Sequence, residues 1–277
     1  MHTVERRVTG IAPIGALLRE WRASRRLSQL SLALDAGVST RHLSFVETGK
    51  AQPSRELVDK LADALAMPLR ERNALLVAAG YAPKYPETAL ATPMMAQVRR
   101  AIDSILAQQE PYPAFLLNRH WDVLAANAAA ARVSAFVLDG RTSPHSNMLH
   151  NIFDPADLRS KIVNWEEIAG DLMRHLHSEV AATPTDAGVR DLLEQTLAYP
   201  DVPQHWRNRD VAAAPTPLLT THFRHNGRDL RFFSTITAFG TPRDVTLEEL
   251  RIECAFPEDE ATAEFCRQLA RGDAVQD

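Results

Sequence analysis

Residues 27–65 read LSQLSLALDAGVSTRHLSFVETGKAQPSRELVDKLADAL, and this stretch decides the fold of the N-terminal part of the chain. Serine precedes two helical starts, at Ser28 and Ser39, where its hydroxyl can accept the first backbone N–H groups of a helix. Glycine follows both helical ends, at Gly37 and Gly49, where the chain must take a positive φ. The pattern predicts two short helices joined by a tight turn.

Helical periodicity continues on both sides of this stretch. Before it, apolar residues between Ile14 and Trp21 recur at helical spacing and predict a first helix. After it, Ser54 opens a fourth helix, and a fifth spans residues 70–79 before Gly80. The sequence therefore predicts an all-helical head.

The two central helices are predicted to form a helix-turn-helix. This motif needs a small residue in its first helix for close approach, which is Ala33, and a glycine at the turn, which is Gly37. Val38, Leu43 and Val46 supply the inward apolar positions. The other side chains of the second helix then face outward, and a helix of this size fits the major groove of B-DNA.

Composition divides the chain into three segments. The head is expected over residues 12–80, a proline-rich linker over 81–93, and a body over 94–272. Residues 1–80 hold 12 Lys and Arg against 8 Asp and Glu, whereas the remainder holds 19 against 27. A basic head on an acidic body favours an anionic partner for the head alone.

The body alternates between helical and strand patterns. PAFLLNRHWDVLAAN, residues 113–127, predicts a strand, a turn and a second strand, followed by a helix. Asn226-Gly227 stands between two apolar runs and predicts a β-hairpin. LEELRIECAF, residues 247–256, predicts a further strand, and residues 260–271 a closing helix. The body is therefore expected to be α+β.

Composition also bears on the cellular setting. The two cysteines, Cys254 and Cys266, form neither a disulfide framework nor a CxxC metal pair. No apolar run approaches the ~20 residues that cross a bilayer, and the N-terminus lacks the apolar core of a signal peptide. We expect a cytoplasmic, nucleoid-associated protein with no membrane contact, no cofactor and no metal.

Sequence motifs for catalysis are absent. His175 and His177 are two residues apart on a predicted helix and do not share a face. HExxH, GxSxG, Walker and GxGxxG patterns do not occur. A Ser-His-Asp arrangement needs tertiary geometry and stays open, but we expect no enzyme.

The head resembles the lambda-repressor-like family of helix-turn-helix regulators, the Cro or xenobiotic-response-element type. Gln29, Ala33, the Gly37-Val38-Ser39 turn and the Glu47–Ser54 run carry the resemblance, which covers about residues 12–80. It implies double-stranded operator DNA as the partner.

By this resemblance, Gln29 contacts a phosphate, the first exposed recognition-helix residues read bases, and Lys50 and Arg55 meet backbone phosphates. It also implies a structural ion pair between Arg22 and Glu47. Phe45 either touches a thymine methyl or packs within the head. The expected DNA-binding residues are Gln29, Ser39, Thr40, Arg41, Ser44, Phe45, Lys50 and Arg55.

The body resembles the ligand-binding domain of MmyB-like regulators. The resemblance rests on residues 113–133, 147–158, the helix that begins at Trp165, and the strand FFSTITAF, residues 232–239. It implies a PAS-like sheet that encloses an apolar cavity for a small apolar ligand, which in some members is a fatty acid. The C-terminal segment LRIECAFPEDE, residues 250–260, departs from the family pattern.

Several large apolar residues of the body are candidates for lining this cavity. Strand alternation would place Trp121, Val123 and Ala125 on one face. Asn127 either holds a ligand head group or caps the following helix. The expected ligand-binding residues are Trp121, Val123, Asn127, Phe153, Leu172, Leu176, Phe232 and Phe239, with Arg119 and Arg231 available to neutralise a carboxylate.

The sequence thus predicts a one-component regulator that binds a short, two-fold symmetric operator as a homodimer and responds to a small apolar ligand. Two alternatives remain at this point. In the first, the body serves only as a platform for dimerisation or protein interaction, without a ligand. In the second, the protein is an antitoxin-like or enzyme-fused regulator.

Overall fold

The computed structural model describes residues 14–208 and 218–272 of the 277-residue chain. The predicted start of the head, residues 12 and 13, lies outside these ranges. The first of the two apolar runs predicted to form the hairpin, TPLLTTHF, starts at Thr216, so its first two residues lie outside them as well. The chain separates into two units. The first comprises the residues up to Glu87 with two short pieces, 181–186 and 243–245, and the second comprises the rest.

The first unit contains five helices among its described residues, and the predicted limits of the second and third are confirmed. Ser28, Ser39 and Ser54 cap the second, third and fourth helices, accepting backbone N–H groups at 3.0, 3.1 and 3.2 Å. Gly37 and Gly49 take φ values of +66° and +73° at the helical ends. The helices are α1 Ile14–Ser24, α2 Gln29–Asp35, α3 Thr40–Glu47, α4 Arg55–Ala64 and α5 Leu69–Ala78.

One apolar core holds these five helices together. Leu18, Leu32, Leu43, Leu61 and Leu75 are fully shielded from solvent, one from each helix in turn. Burying a leucine side chain contributes about 1.5–3 kcal/mol. Because each helix is too short to be stable alone, this shared core is what orders the head.

The crossing of α1 and α3 depends on Gly15 in α1. A Cβ placed on Gly15 would lie 2.3 Å from the carbonyl oxygen of Glu47 and 2.9 Å from that of Val46. The obstacle is backbone, so it cannot rotate away. Only glycine lets α1 approach the C-terminal end of α3 this closely.

The second unit is built on a five-stranded antiparallel sheet with strand order β2-β1-β5-β4-β3. Its strands are β1 Ala114–Leu117, β2 Val123–Ala126, β3 Thr220–His225, β4 Arg228–Ala238 and β5 Arg251–Pro257. The remaining helices are α6 Ala96–Gln108, α7 Ala128–Val137, α8 Met148–Phe153, α9 Trp165–Ala182, α10 Ala187–Leu197, α11 Val245–Glu249 and α12 Glu260–Arg271, with 3-10 turns at Pro93–Met95, Leu158–Lys161 and Gln204–Arg207.

The fold is therefore a helical helix-turn-helix head followed by an α+β, PAS-like domain, as the sequence predicts. The hairpin at Asn226-Gly227 is confirmed, and both residues have positive φ, +47° and +71°. Asn127 caps α7, the second of its two predicted roles. None of the described helices has the length and apolar character that a bilayer crossing requires.

Two local predictions were wrong. Trp121 is not part of β2, which begins at Val123. It has φ +67° and lies in a turn in which the Asn118 side chain accepts hydrogen bonds from the backbone N–H groups of His120 and Asp122. The segment predicted as one strand over residues 247–256 begins with the end of α11 and becomes β5 only at Arg251.

Both faces of the sheet are covered in part. On one face, Ile102 and Leu106 of α6 pack against Leu116 and Ile252. On the other face, Val133 of α7 and Phe265 of α12 belong to one apolar cluster with Phe232 of β4. The second face also bears the cavities described below.

We expect Gly15→Ala to destabilise the head. Alanine normally favours a helix over glycine by up to about 1 kcal/mol, but here the clash with the backbone of α3 dominates, and we expect a net loss of about 2 kcal/mol. The loss is measured by urea unfolding followed by circular dichroism. Gly240→Ala is the control, because its new Cβ meets nothing within 4 Å; equal stability of both variants would contradict the prediction.

Candidate DNA interface and ligand cavity

The third helix, α3, has one face in the core and one in solvent. Leu43 and Val46 are fully buried, whereas Arg41 and His42 are exposed and Phe45 is 37% exposed. The helix has two turns and begins at a serine cap, so the N-terminal side chains that would meet base edges are held on a regular backbone.

The C-terminal end of α3 is fixed by a buried carboxylate. Glu47 is 2% exposed, and its two oxygens accept hydrogen bonds from the Arg22 guanidinium at 2.8 and 3.0 Å. Gln29 donates to the same carboxylate at 2.7 Å, and Arg22 also donates to the Leu27 carbonyl at 3.0 Å. The pKa of Arg22 is raised, mainly by its hydrogen bond to Glu47. One residue of α3 thus joins α1 and α2.

Arg41 and Phe45 form a pair on the exposed face of α3. The Arg41 guanidinium carbon lies 5.3 Å from the centroid of the Phe45 ring, a cation–π distance. The two residues are four apart and therefore neighbours on the helix surface. The ring thus gives the guanidinium a local partner on the solvent-exposed side of the helix.

The remaining predicted DNA-binding residues surround this pair. Lys50 and Arg55 are exposed on the segment that follows α3, and the Lys50 backbone N–H donates to the Phe45 carbonyl at 2.7 Å. The hydroxyl of Ser39 accepts the cap hydrogen bond and keeps its own proton for donation. Thr40 and Ser44 are half-buried. Gln29 is also half-buried, and its contact with Glu47 was not apparent from the sequence.

Two adjoining cavities lie against the sheet of the second unit. Their volumes are about 140 and 190 Å³. Both are bounded by Met148 and Ile152 of α8 and by Thr221, Ser234 and Glu253 of the sheet. The first is otherwise lined mainly by apolar residues, which include Phe115, Val123, Val133, Val137, Phe223 and Phe232. The second adds Trp121, Ile168, Asp171, Leu172, His175, Leu219 and Ile236.

Half of the predicted ligand-binding residues line these cavities. Val123 and Phe232 line the first cavity, and Trp121 and Leu172 line the second. Phe153 and Leu176 belong to the adjoining core, where they are 0% and 1% exposed and line neither cavity.

The structure places Phe239 and Asn127 elsewhere. Phe239 packs with the α6 cluster on the other side of the sheet. The Asn127 side-chain oxygen accepts from the backbone of Ala114 and Ala130 at 3.0 Å each, and its nitrogen donates to the carbonyls of Leu106 and Tyr112. These four hydrogen bonds use the amide fully, so it has no capacity left for a ligand.

Glu253 is the cavity residue that the sequence analysis missed. It is half-buried in the middle of β5, where its cross-strand neighbours are Phe115 on β1 and Ile236 on β4. Burial raises the pKa of the Glu253 carboxyl, and a hydrogen bond from Ser234 offsets only part of this rise. The available signal was the alternation along β5, which puts Glu253 on the opposite face from Ile252 and Cys254.

A second carboxylate, that of Glu179, contacts two residues of the second cavity's lining, Trp121 and His175, but lines neither cavity itself. The Glu179 carboxylate accepts a hydrogen bond from the Trp121 indole at 3.0 Å and lies 3.3 Å from His175. Arg251 pairs with the same carboxylate, and its guanidinium carbon lies 5.9 Å from the Trp121 ring centroid. Burial alone would raise the pKa of Glu179, but the contacts with His175 and Arg251 outweigh it and lower the pKa.

The two arginines proposed for a ligand carboxylate are placed away from the cavities. Arg119 pairs with Glu249 at 2.7 Å, and Arg231 lies 3.9 Å from Asp259. Neither lines either cavity. Among the cavity-lining residues that the structure describes, there is no lysine and no arginine.

The head and the second unit therefore define a DNA-binding regulator with a domain of a ligand-binding type. Residues 13–75 match the helix-turn-helix domain family, and residues 98–269 match the family described as the MmyB-like transcription regulator ligand binding domain. The second match covers more than half of the chain, and the chain belongs to the MmyB-like transcription regulators.

Known proteins that share parts of the sequence are also regulators. HTH-type transcriptional regulators of Mycobacterium bovis and Mycobacterium tuberculosis are 39% identical over 93 residues, which cover 31% of this chain and 34% of theirs. The HTH-type regulator RghRB of Bacillus subtilis is 36% identical over 78 residues, 28% of this chain and 54% of that protein. The match thus spans about a third of the length of the mycobacterial relatives.

Among solved structures, an RNA-binding light-oxygen-voltage receptor aligns with 94% of this chain and 62% of its own, at 12% identity and a TM-score of 0.27. A likeness of that size supports no conclusion about fold or function.

We expect Glu47→Ala to destabilise the head by about 3 kcal/mol, because removal of one partner leaves the Arg22 guanidinium without its buried counter-ion. Urea unfolding monitored by circular dichroism measures the change. The matched control is Glu56→Ala, which breaks an exposed pair with Lys60 and should leave the unfolding midpoint nearly unchanged. The prediction fails if the two variants unfold at the same urea concentration.

Proposed function

We propose that this DNA-binding transcriptional regulator acts as a homodimer on a two-fold symmetric operator and that a small, largely apolar ligand controls it. The observation that carries the proposal is the arrangement of α3, which presents Arg41 and Phe45 to solvent while Arg22 and Glu47 fix its end. In this scheme α3 enters the major groove of chromosomal DNA.

Within this interface the roles follow from side-chain chemistry. Arg41 has a planar guanidinium that can bind guanine in a bidentate manner, and Phe45 offers apolar contact for a thymine methyl. Lys50 and Arg55 neutralise backbone phosphates, which position the protein but carry no sequence information. One head offers few base contacts, so a dimer on two half-sites supplies the remaining specificity.

The ligand is proposed to occupy the two cavities of the second unit. Their walls are mainly apolar with a few polar groups, as is typical of small-molecule sites. The resemblance suggests a fatty acid, which makes a single-chain amphiphile the first ligand to test. Such a ligand can change DNA affinity only if it binds two arrangements of the dimer with different affinity. We propose no enzymatic step.

The cavities are smaller than the 300–1,000 Å³ that is usual for ligand pockets, and this observation favours an alternative. In the alternative, the second unit is only a platform for dimerisation or protein interaction. The two functions differ in whether the full-length protein takes up a ligand.

Native mass spectrometry of the purified full-length protein, with ten-carbon amphiphiles added, decides between them. We expect a bound amphiphile at one copy per chain and a rise in the thermal unfolding midpoint. Ile152→Trp, which places a large side chain between the two cavities, should abolish uptake. If wild type stays empty and its midpoint does not move, the platform function holds.

We expect Arg41→Ala to weaken binding to the preferred operator roughly ten- to hundredfold, because one bidentate base contact is worth about 1–3 kcal/mol. The operator is first obtained by selecting bound sequences from random DNA. Quantitative footprinting at fixed salt measures affinity, and circular dichroism checks that the head remains folded.

Lys50→Gln is the comparison for this prediction. Loss of one phosphate contact should weaken binding to all sequences alike and reduce the slope of log affinity against log salt by about 1. Equal footprints for Arg41→Ala and wild type, or a change in sequence preference confined to Lys50→Gln, would refute these assignments.

A further inference from the structure

The two cavities share an acid, Glu253, for which the described part of the protein supplies no cationic partner. Among the described residues, no lysine, arginine or histidine pairs with Glu253, whose polar partner is the hydroxyl of Ser234. The other acid of the lining, Asp171, is paired with Arg174 at 2.8 Å. Among the described cavity-lining residues, Glu253 is therefore the acid that has no cationic partner.

The position of Glu253 is central. It lines both cavities, and its cross-strand neighbours Phe115 and Ile236 are apolar. A carboxyl held among apolar groups is costly unless it finds a hydrogen-bond donor or an opposite charge. Thr221 and Ser234, which line both cavities too, add hydroxyl oxygens that can accept from the same donor.

We propose that the cavities bind a single-chain amphiphile with a basic head group, such as an aliphatic amine, whose nitrogen contacts Glu253. This inference rests on the proposed function and names the chemistry of its ligand. The apolar chain lies along the walls formed by α7 and α8, and the ammonium donates to the carboxylate of Glu253 and to the Ser234 hydroxyl. The positive charge of the ligand stabilises the ionised form of the acid.

A carboxylate head group fits the same cavities poorly. Two ionised carboxylates at one site repel each other, so such a ligand would bind only with one of the two acids protonated and would gain no ionic contact with Glu253. Arg251 stands on the same face of β5, two residues from Glu253, but its guanidinium is paired with Glu179. His175, which lines the second cavity, also lies 3.3 Å from the Glu179 carboxylate. A ligand carboxylate would therefore have to compete with Glu179 for either cation.

The site is also accessible from solvent at the polar end. Ser234 is exposed and Ile236 is 49% exposed, both on the part of β4 that lines the second cavity. If the ligand enters there with its chain first, the chain reaches the apolar first cavity and the head group stops at Glu253. This places the charged group near water, where the cost of desolvating it is smallest.

The test compares decylamine with decanoate, two ligands with the same ten-carbon chain length and opposite charge. Isothermal titration calorimetry of the full-length protein at neutral pH measures both dissociation constants. We expect decylamine to bind at least tenfold more tightly than decanoate. In Glu253→Gln, which keeps the side-chain shape and removes the charge, decylamine affinity should fall at least tenfold and decanoate affinity should stay the same or rise.

Glu166→Gln is the matched control, because Glu166 is exposed on α9 and lines neither cavity; it should bind both ligands as wild type does. The inference is overturned if decanoate binds wild type as tightly as decylamine, or if Glu253→Gln keeps its full affinity for decylamine. The proposed control by an apolar ligand would survive either result. If neither amphiphile binds wild type, the ligand-controlled function fails together with the inference.

Discussion

The head depends on one buried carboxylate. Glu47 ends the recognition helix α3, where the helix dipole is already negative, and a bare carboxylate there would be unfavourable. Arg22 supplies two hydrogen bonds and a positive charge, and Gln29 supplies a third hydrogen bond. The same residue therefore fixes α3 against α1 and α2 at once. Without this constraint, the exposed side chains of α3 would have no fixed direction, and a DNA-reading surface needs one.

The close approach at Gly15 belongs to the same constraint. The backbone carbonyl of Glu47 occupies the space in which any larger residue at position 15 would place its Cβ. The side chain of Glu47 thus ties α3 to α1 through its hydrogen bonds with Arg22. Its main-chain carbonyl requires glycine at position 15, where the two helices cross. As a result, α3 is held at its C-terminal end while Arg41 and Phe45 face solvent.

In the second unit, the two faces of the antiparallel sheet differ in what they contact. One face is covered by α6 and makes ordinary core. The other face bears the cavities, and there the sheet contributes an acid, Glu253, with two hydroxyls beside it. Under the proposed function, such a pocket would select its ligand through one head-group contact, because its apolar walls would accept any chain of suitable size. A regulator responds to such a ligand only through two states that bind it with different affinity.

The sequence by itself determined the local features. The limits of α2 and α3, the caps at Ser28 and Ser39 and the hairpin at Asn226-Gly227 follow from interactions between residues a few positions apart, and such interactions are encoded in the immediate sequence. Only the tertiary structure decided the rest. Phe239 lies on the other face of the sheet, and Glu253 lies between Phe115 and Ile236, because these positions depend on how β1, β4 and β5 pair. Of these strands, β1 and β5 are more than 100 residues apart in the chain. A ligand site assembled from such pairings has no local pattern from which it can be read.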